Sequence, residues 1–155
     1  MNNEELINSI TEEAKKHFTS SRGSHDWSHT ERVYRLALHI SEAEGGDLLV
    51  LSAAALLHDV GKLEHYPRLW ERVFTVLIEY GAPNLASRMA LGPPKGLRRG
   101  LVVRRFHADW GADLAARAGA SYRVLFLIRK HHSAPGGDAE LTALQAIDDD
   151  GYVSE

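Results

Sequence analysis

The sequence contains no cysteine, only five prolines among its 155 residues, and no long hydrophobic run. Without cysteine there is no disulfide framework, and a metal ion must be bound by His, Asp or Glu. The longest nearly apolar stretch, residues 48–57, is about half as long as a bilayer crossing requires. The first ten residues carry acidic side chains where a secretory signal peptide carries positive charge. These absences lead us to expect a cytoplasmic protein with no membrane partner.

The chain also lacks a large excess of basic or acidic residues. The chain has 18 basic and 21 acidic residues, a formal net charge of −3, which gives no reason to expect a nucleic-acid partner. With 44% apolar residues the chain is too hydrophobic to be disordered. Its length suits one domain with a buried core, so we expect a single domain over residues 1–155.

Apolar residues recur with the helical period, and no segment alternates for long enough to predict a strand. The fold class predicted is therefore all-α, a bundle of about six to eight helices. Residues 48–57 are apolar on nearly every face, which places their helix at the centre of the bundle. The predicted helices are 3–18, 27–44, 48–65, 68–80, 97–118, 121–132 and 138–150, with at most a short helix between 81 and 96.

Nine histidines make a metal site the first function to consider. Residue types that bind metals lie on the core-facing stripes of five predicted helices. A single histidine on an apolar face is usually a hydrogen-bonded core residue. A buried aspartate beside histidines, however, is costly unless it is paired or bound to a cation. The set as a whole therefore predicts a metal site built from His29, His58, Asp59, His107, His131, His132 and Asp148.

Two assignments stay open at this point. The segment LQAIDDD offers three consecutive aspartates, and register with Leu141 and Leu144 favours Asp148 over its two successors. His25 and Asp26, one turn before His29, either form an outer layer of the site or cap the second helix.

Five motifs in this order resemble the HD-domain metal-dependent phosphohydrolases: DWSHTERV with His29, LLHDVGK with His58 and Asp59, HADWGADLA from His107, IRKHH ending at His131 and His132, and LQAIDDD with Asp148. The resemblance covers residues 24–150. The third and fourth motifs are similar to the two-metal branch that includes the HD-GYP phosphodiesterases. Here SAPGGD stands where that branch has GYP, which argues against a cyclic-dinucleotide substrate.

The resemblance implies one or two divalent ions per chain. His29, His58, Asp59 and Asp148 would hold the first ion, and a nitrogen and oxygen set of this kind fits Mn, Fe, Co, Ni or Zn. The other three histidines would hold the second, with Asp59 bridging the two. Paired cations stabilise the attacking and departing oxygens of a displacement at phosphorus, and a cation lowers the pKa of a water molecule.

Two cations are candidates for contacting a substrate phosphate. Lys62 lies one turn after Asp59 on the predicted third helix, and Arg32 lies one turn after His29. Either would neutralise charge on phosphoryl oxygens. The alternatives are an exposed lysine near a helix end and an arginine paired with a surface acid. A run of arginines before His107 either attracts an anionic substrate or forms a solvated face: Arg98, Arg99, Arg104 and Arg105.

The function predicted is hydrolysis of a phosphate monoester or diester, of the nucleotide or small phosphorylated metabolite class, with Asp59 and Lys62 as catalytic residues. One alternative is a module that binds a metal and senses a nucleotide without turnover. Another is a diiron oxygenase, since some HD relatives oxygenate their substrates with a mixed-valent iron pair. The sequence identifies neither the substrate nor the oligomeric state.

Overall fold

The computed structural model describes residues 3–20, 24–44 and 47–150, with side chains throughout except at 19–20, 24–26, 43–44 and 149–150. The described chain contains eight α-helices and no strand, which confirms the predicted all-α class. None of these helices combines the length and apolar composition that a bilayer crossing requires. They are α1 (Asn3–Ser20), α2 (Ser24–Glu44), α3 (Leu48–Leu57), α4 (Leu69–Gly81), α5 (Pro83–Met89), α6 (Arg99–Arg117), α7 (Tyr122–Lys130) and α8 (Ala139–Asp150).

Helix α3 lies at the centre, as its apolar composition predicts. Asp47 begins it, because its carboxylate accepts hydrogen bonds from the N–H groups of Leu49 (3.0 Å) and Val50 (3.1 Å). Leu51 to Leu56 are all buried. The largest core cluster joins α3 to α2, α7 and α8, through Val33, Ala37, Leu51, Ala54, Ala55, Leu127, Leu141, Leu144 and Ile147. A second cluster joins α3 to α6 and α7.

The prediction that the third helix continues to residue 65 is wrong. The α-helix ends at Leu57, and Val60–Leu63 form a separate 3₁₀ turn. Gly61 explains the change of direction, because it lies directly on the backbone of α6. A β-carbon at this position would overlap the carbonyl oxygen of His107. The turn thereby brings Asp59, at its start, to the α6 segment that carries His107.

Residues 66–98 form a lobe beside α6, which we call the α4–α5 lobe. Pro83 begins α5, the short helix allowed for between 81 and 96, and a 3₁₀ turn at Gly96–Arg98 leads into α6. A small apolar cluster joins the lobe to α6, centred on Ala86, Ala90 and Leu101. This cluster is smaller than the core of the bundle.

Helix α4 is held against α6 by polar contacts. Glu71 is only 1% exposed. Its carboxylate accepts the backbone N–H of Arg68 at 2.7 Å and pairs with Arg99 at 3.3 Å. The Thr75 hydroxyl donates to the Glu71 carbonyl, and Gly100 of α6 packs directly on both residues. These contacts fix which face of α4 is turned inward.

Candidate metal centre

The seven predicted ligand residues meet at one place in the bundle. They come from α2, α6 and α8 and from the chain just after α3 and α7. We distinguish a first group (His29, His58, Asp59 and Asp148) from a second group (His107, His131 and His132). His58, Asp59, His107 and His131 are buried, whereas His132 is exposed. In each of two triads, His29–His58–Asp59 and the second group, potential ligand atoms lie within 4.8 Å of one another.

Carboxylate oxygens and imidazole nitrogens face each other in the first group. Nε2 of His29 lies 3.0 Å from Oδ1 of Asp148, and Nε2 of His58 lies 3.4 Å from the same oxygen. Oδ2 of Asp59 is 3.4 Å from Nε2 of His58. On the opposite side of its ring, Nδ1 of His58 lies 2.7 Å from the carbonyl oxygen of Ala55. Because a carbonyl only accepts, Nδ1 carries a proton there and Nε2 is the atom aimed at the carboxylates.

The second group repeats this orientation. Nδ1 of His107 lies 3.0 Å from the carbonyl oxygen of Val103, and Nδ1 of His131 lies 2.6 Å from that of Ile128. Both rings therefore carry the Nδ1 proton and present Nε2 inward. The two Nε2 atoms are 3.3 Å apart, and Nε2 of His132 is 3.2 Å from that of His107. Hydrogen bonds that fix the tautomer in this way are typical of metal-binding histidines.

Asp59 lies between the two groups, with one carboxylate oxygen toward each. Oδ2 faces the first group, at 3.4 Å from Nε2 of His58 and 3.9 Å from that of His29. Oδ1 faces the second, at 3.5 Å from Nε2 of His107 and 3.9 Å from that of His131. A single carboxylate in this position could bind a cation in either group or bridge two of them.

The donor set fits a divalent cation. Four buried side-chain atoms in the described residues have no hydrogen-bond partner, and two of them are Nε2 of His58 and Oδ1 of Asp59. The other two are hydroxyls, of Ser41 and Ser52. Burying a ring nitrogen and a carboxylate oxygen without hydrogen bonds costs free energy. Cations bound by Nε2 of His58 in the first group and by Oδ1 of Asp59 in the second would remove that cost.

The charges of the two groups differ. Burial disfavours a charged His58, but the carboxylates of Asp59 and Asp148 outweigh it and raise the pKa of His58 to about 10. Burial likewise opposes a charged Asp59, yet His58 and Lys62 hold its pKa well below the usual range. The two carboxylates of the first group therefore stabilise positive charge in their vicinity.

The second group is instead kept neutral. Burial lowers the pKa of His107 to about 4 and that of His131 to about 3, and it also lowers the pKa of His132. Neutral imidazoles keep a lone pair on one ring nitrogen, which is the form that binds metals. At neutral pH these rings are ready to bind a cation without first losing a proton.

Lys62 lies beside the site, on the 3₁₀ turn and not on the helix predicted for it. Its Nζ is 2.6 Å from Oδ2 of Asp59, and its side chain is 38% exposed. Arg32 is exposed on α2. In the arginine run before His107, Arg99 pairs with Glu71 at 3.3 Å and Arg104 with Glu79 at 2.8 Å. Those two arginines are engaged with the α4–α5 lobe, and the substrate roles of Lys62 and Arg32 stay predictions.

Residue-by-residue reasoning missed Gln145. Its Nε2 donates to the carbonyl oxygen of His131 at 2.9 Å and also to that of Ser133. It therefore ties the turn that carries His131 to α8, one turn before Asp148. An amide on the ligand-bearing stripe of α8 was the signal that could have identified it. The side chains of His25, Asp26 and the two aspartates after Asp148 lie outside the described residues.

Comparisons with known proteins agree with this geometry. The profile of the HD domain family matches residues 26–150, most of the chain. A segment of 42 residues is 45% identical to the uncharacterized protein YpgQ of Bacillus subtilis (strain 168). That segment covers 27% of this chain and only 20% of YpgQ, so the likeness to that relative is local. No solved structure matches the chain significantly.

Proposed function

Since the chain belongs to the HD domain family, we propose that it is a metal-dependent hydrolase of a phosphate monoester or diester, with a nucleotide or small phosphorylated metabolite as substrate. The observation that carries the proposal is the position of Asp59. Its two carboxylate oxygens face two different groups of inward-pointing Nε2 atoms. One of these oxygens and Nε2 of His58 are buried without a hydrogen-bond partner.

The residues of the first group would hold one ion, and those of the second group would hold another, with Asp59 between them. Ions held there supply Lewis-acid charge for phosphoryl oxygens and for the water that attacks phosphorus. The chain's own contribution is to fix the ligands. The carbonyl oxygens behind His58, His107 and His131 prevent these rings from turning.

Lys62 has two tasks in this proposal. Its ammonium holds Oδ2 of Asp59 at 2.6 Å, which fixes the direction of the carboxylate. Its side chain is accessible from solvent, so it can also approach a phosphoryl oxygen of a bound substrate. A lysine in this position would lower the barrier by stabilising the negative charge that develops on such an oxygen. Arg32, exposed one turn after His29, is proposed as a second contact to the substrate phosphate.

The test combines metal analysis with a substrate panel. Protein purified without chelator is analysed for metals, loaded in turn with Mn, Fe, Co, Ni and Zn, and offered nucleotides, sugar phosphates and an aryl phosphate. We expect phosphate or pyrophosphate release by at least one metal form and no release by Asp59→Asn. Asp109→Asn, which changes an exposed aspartate of α6, is the matched control and should keep full turnover.

Each other outcome favours a different function. Metal binding with tight nucleotide binding but no release from any substrate would support a sensor module. Two irons per chain with consumption of dioxygen would support an oxygenase. Loss of metal in Asp59→Asn together with unchanged turnover would contradict the proposal outright.

A further inference from the structure

The outward face of α4 is apolar over its whole length. Six of the twelve large apolar side chains that are exposed among the described residues lie on this helix: Leu69, Trp70, Val73, Val76, Leu77 and Tyr80. Tyr80 is 94% exposed and Leu69 78%. At the helical period the six fall within a sector of about 120°. Glu71 and Thr75, on the opposite side, are buried.

This arrangement reverses that of an ordinary surface helix, which turns its polar face to water. The helix cannot roll to bury the apolar face without breaking the polar contacts of its inner side. Glu71 would lose both Arg99 and the backbone N–H of Arg68. A buried carboxylate left without those partners is strongly destabilising. The contacts of Glu71 on the inner side therefore hold the apolar face toward solvent.

The segment that carries this face is strongly basic. Residues 66–106 contain eight basic and two acidic residues, a net charge of +6, while the rest of the chain carries −9. Both acids are already engaged, Glu71 with Arg99 and Glu79 with Arg104. Arg68 and Arg72 are exposed, and the helical period places them along one edge of the apolar face. Two arginines thus lie along one edge of the apolar face of α4.

We propose that α4 docks on an anionic lipid surface, lying in the plane of the membrane interface. Apolar side chains on one face with arginine at its edge are the pattern of interfacial helices. Trp70 and Tyr80, near the two ends of α4, suit the boundary between acyl chains and headgroups. Helix α4 has 13 residues, about 20 Å, and is too short to span a bilayer. The earlier expectation of no membrane partner rested on the lack of a spanning run, which an interfacial helix does not need.

The charge distribution selects lipid over a second copy of this chain. Arg68 and Arg72 line one edge of the α4 face, so pairing two copies of this face would bring like charges closer together, which opposes that contact. Anionic headgroups would instead attract each basic side chain near the surface. The docking surface is independent of the proposed hydrolase function, so either can fail without the other.

Vesicle flotation tests the proposal. The full chain is mixed with vesicles of phosphatidylcholine alone or with roughly one third phosphatidylglycerol. We expect flotation with the anionic vesicles only, and a decrease when the salt concentration is raised. Leu77→Glu, which adds a charge to the apolar face, should reduce the bound fraction at least about tenfold. Tyr122→Glu adds the same charge to an exposed aromatic on α7 and should float like the wild type.

Three results would overturn the proposal. The first is no flotation with either vesicle. The second is equal loss of flotation in Leu77→Glu and Tyr122→Glu, which would separate binding from the α4 face. The third is a dimer, detected by light scattering, that Leu77→Glu dissociates while vesicle binding is absent; a second copy would then be the occupant. Circular dichroism of both variants checks that their helix content matches the wild type.

Discussion

Two regions of this protein reverse the usual distribution of polar and apolar groups, and they do so in opposite directions. In the candidate metal centre, His58 and Asp59 are buried beside His107 and His131. On α4, six large apolar side chains lie in water. Buried charge and exposed apolar surface both cost free energy relative to the ordinary arrangement. Both features are therefore candidates for a function.

The two reversals differ in how far the chain itself compensates them. In the candidate metal centre most polar atoms have partners, such as the carbonyl oxygen behind each buried ring and Lys62 beside Asp59. Only a ring nitrogen and a carboxylate oxygen are left over, which is a small deficit that bound cations can fill. The α4 face has no covering element among the described helices. What it leaves exposed is an extended surface, which matches the extended partner that we propose for it.

The largest expected effect compares a leucine of the hydrophobic core with a leucine of the α4 face. Leu127 is fully buried in the largest core cluster, and Leu77 is 66% exposed on α4. We expect Leu127→Ala to lower the free energy of unfolding by about 2–5 kcal/mol, because it leaves a cavity. Leu77→Ala should change it by less than about 0.5 kcal/mol. Urea denaturation of both variants measures this. A loss of similar size in Leu77→Ala would mean that the α4 face is packed in solution.

A pair of glycines provides the next comparison. Gly61 has the α6 backbone against it at His107, so Gly61→Ala forces the turn away from α6. We expect a loss of about 1–3 kcal/mol in unfolding free energy and a lower metal content, because Asp59 moves with the turn. Gly81, at the end of α4, has open space around its α-carbon. Gly81→Ala should be neutral or stabilising by up to about 1 kcal/mol. Equal effects of the two would contradict the close approach at Gly61.

The helices were predictable because their signals are local, whereas the break after α3 was not. Periodicity, the Asp47 cap and Gly119 mark element ends within a few residues. The turn at Val60–Leu63 depends on contact with α6, some 50 positions later in the sequence. Periodicity also shows that α4 is amphipathic without showing which face is buried. Here the ion pair between Glu71 and Arg99 determines which face of α4 is buried.

The residue types of the site were predictable, but their atomic arrangement was not. Core-facing stripes and the five motifs predicted seven side chains, and the structure brings all seven together. The carbonyl oxygens that orient the rings carry no chemical signature in a sequence, and the only signal for Gln145 is its position on the stripe of α8 that carries Asp148. The contact between Lys62 and Asp59 also depends on the 3₁₀ turn, which was predicted as helix. The roles of these residues stay predictions until they are measured.

The next comparison is between Lys62, a cation beside the candidate metal centre, and Arg72, a cation of the α4–α5 lobe. Lys62→Ala should leave metal content nearly unchanged, because the ammonium is not a proposed ligand and the rings of the buried histidines stay held by their carbonyl partners. It should slow turnover about a hundredfold, since a cation aimed at developing charge acts on the transition state. Arg72→Ala, which removes an exposed arginine stacked on Tyr66, should leave turnover unchanged. Metal analysis and initial rates test both. Full activity of Lys62→Ala would remove its proposed role.

The smallest expected effect comes from comparing the stability contributed by an ion pair of the bundle with that contributed by an ion pair of the lobe. Arg123 binds both carboxylate oxygens of Asp138 at 2.7 Å and lowers the pKa of that residue. A carboxyl group whose pKa is lower in the folded state stabilises the protein above its unfolded pKa, and this stability is lost as the pH falls through the folded value.

Asp138→Asn isolates this charge, because asparagine caps α8 as well as aspartate does. We expect it to lower the unfolding free energy by about 1 kcal/mol at neutral pH, since the pair is partly screened by solvent. The difference from wild type should shrink below about pH 4. Glu79→Gln, which removes a single contact to the exposed Arg104, should cost less than half as much at neutral pH. Urea titrations at several pH values measure both variants. A pH-independent loss in Asp138→Asn would assign the effect to the cap instead of the ion pair.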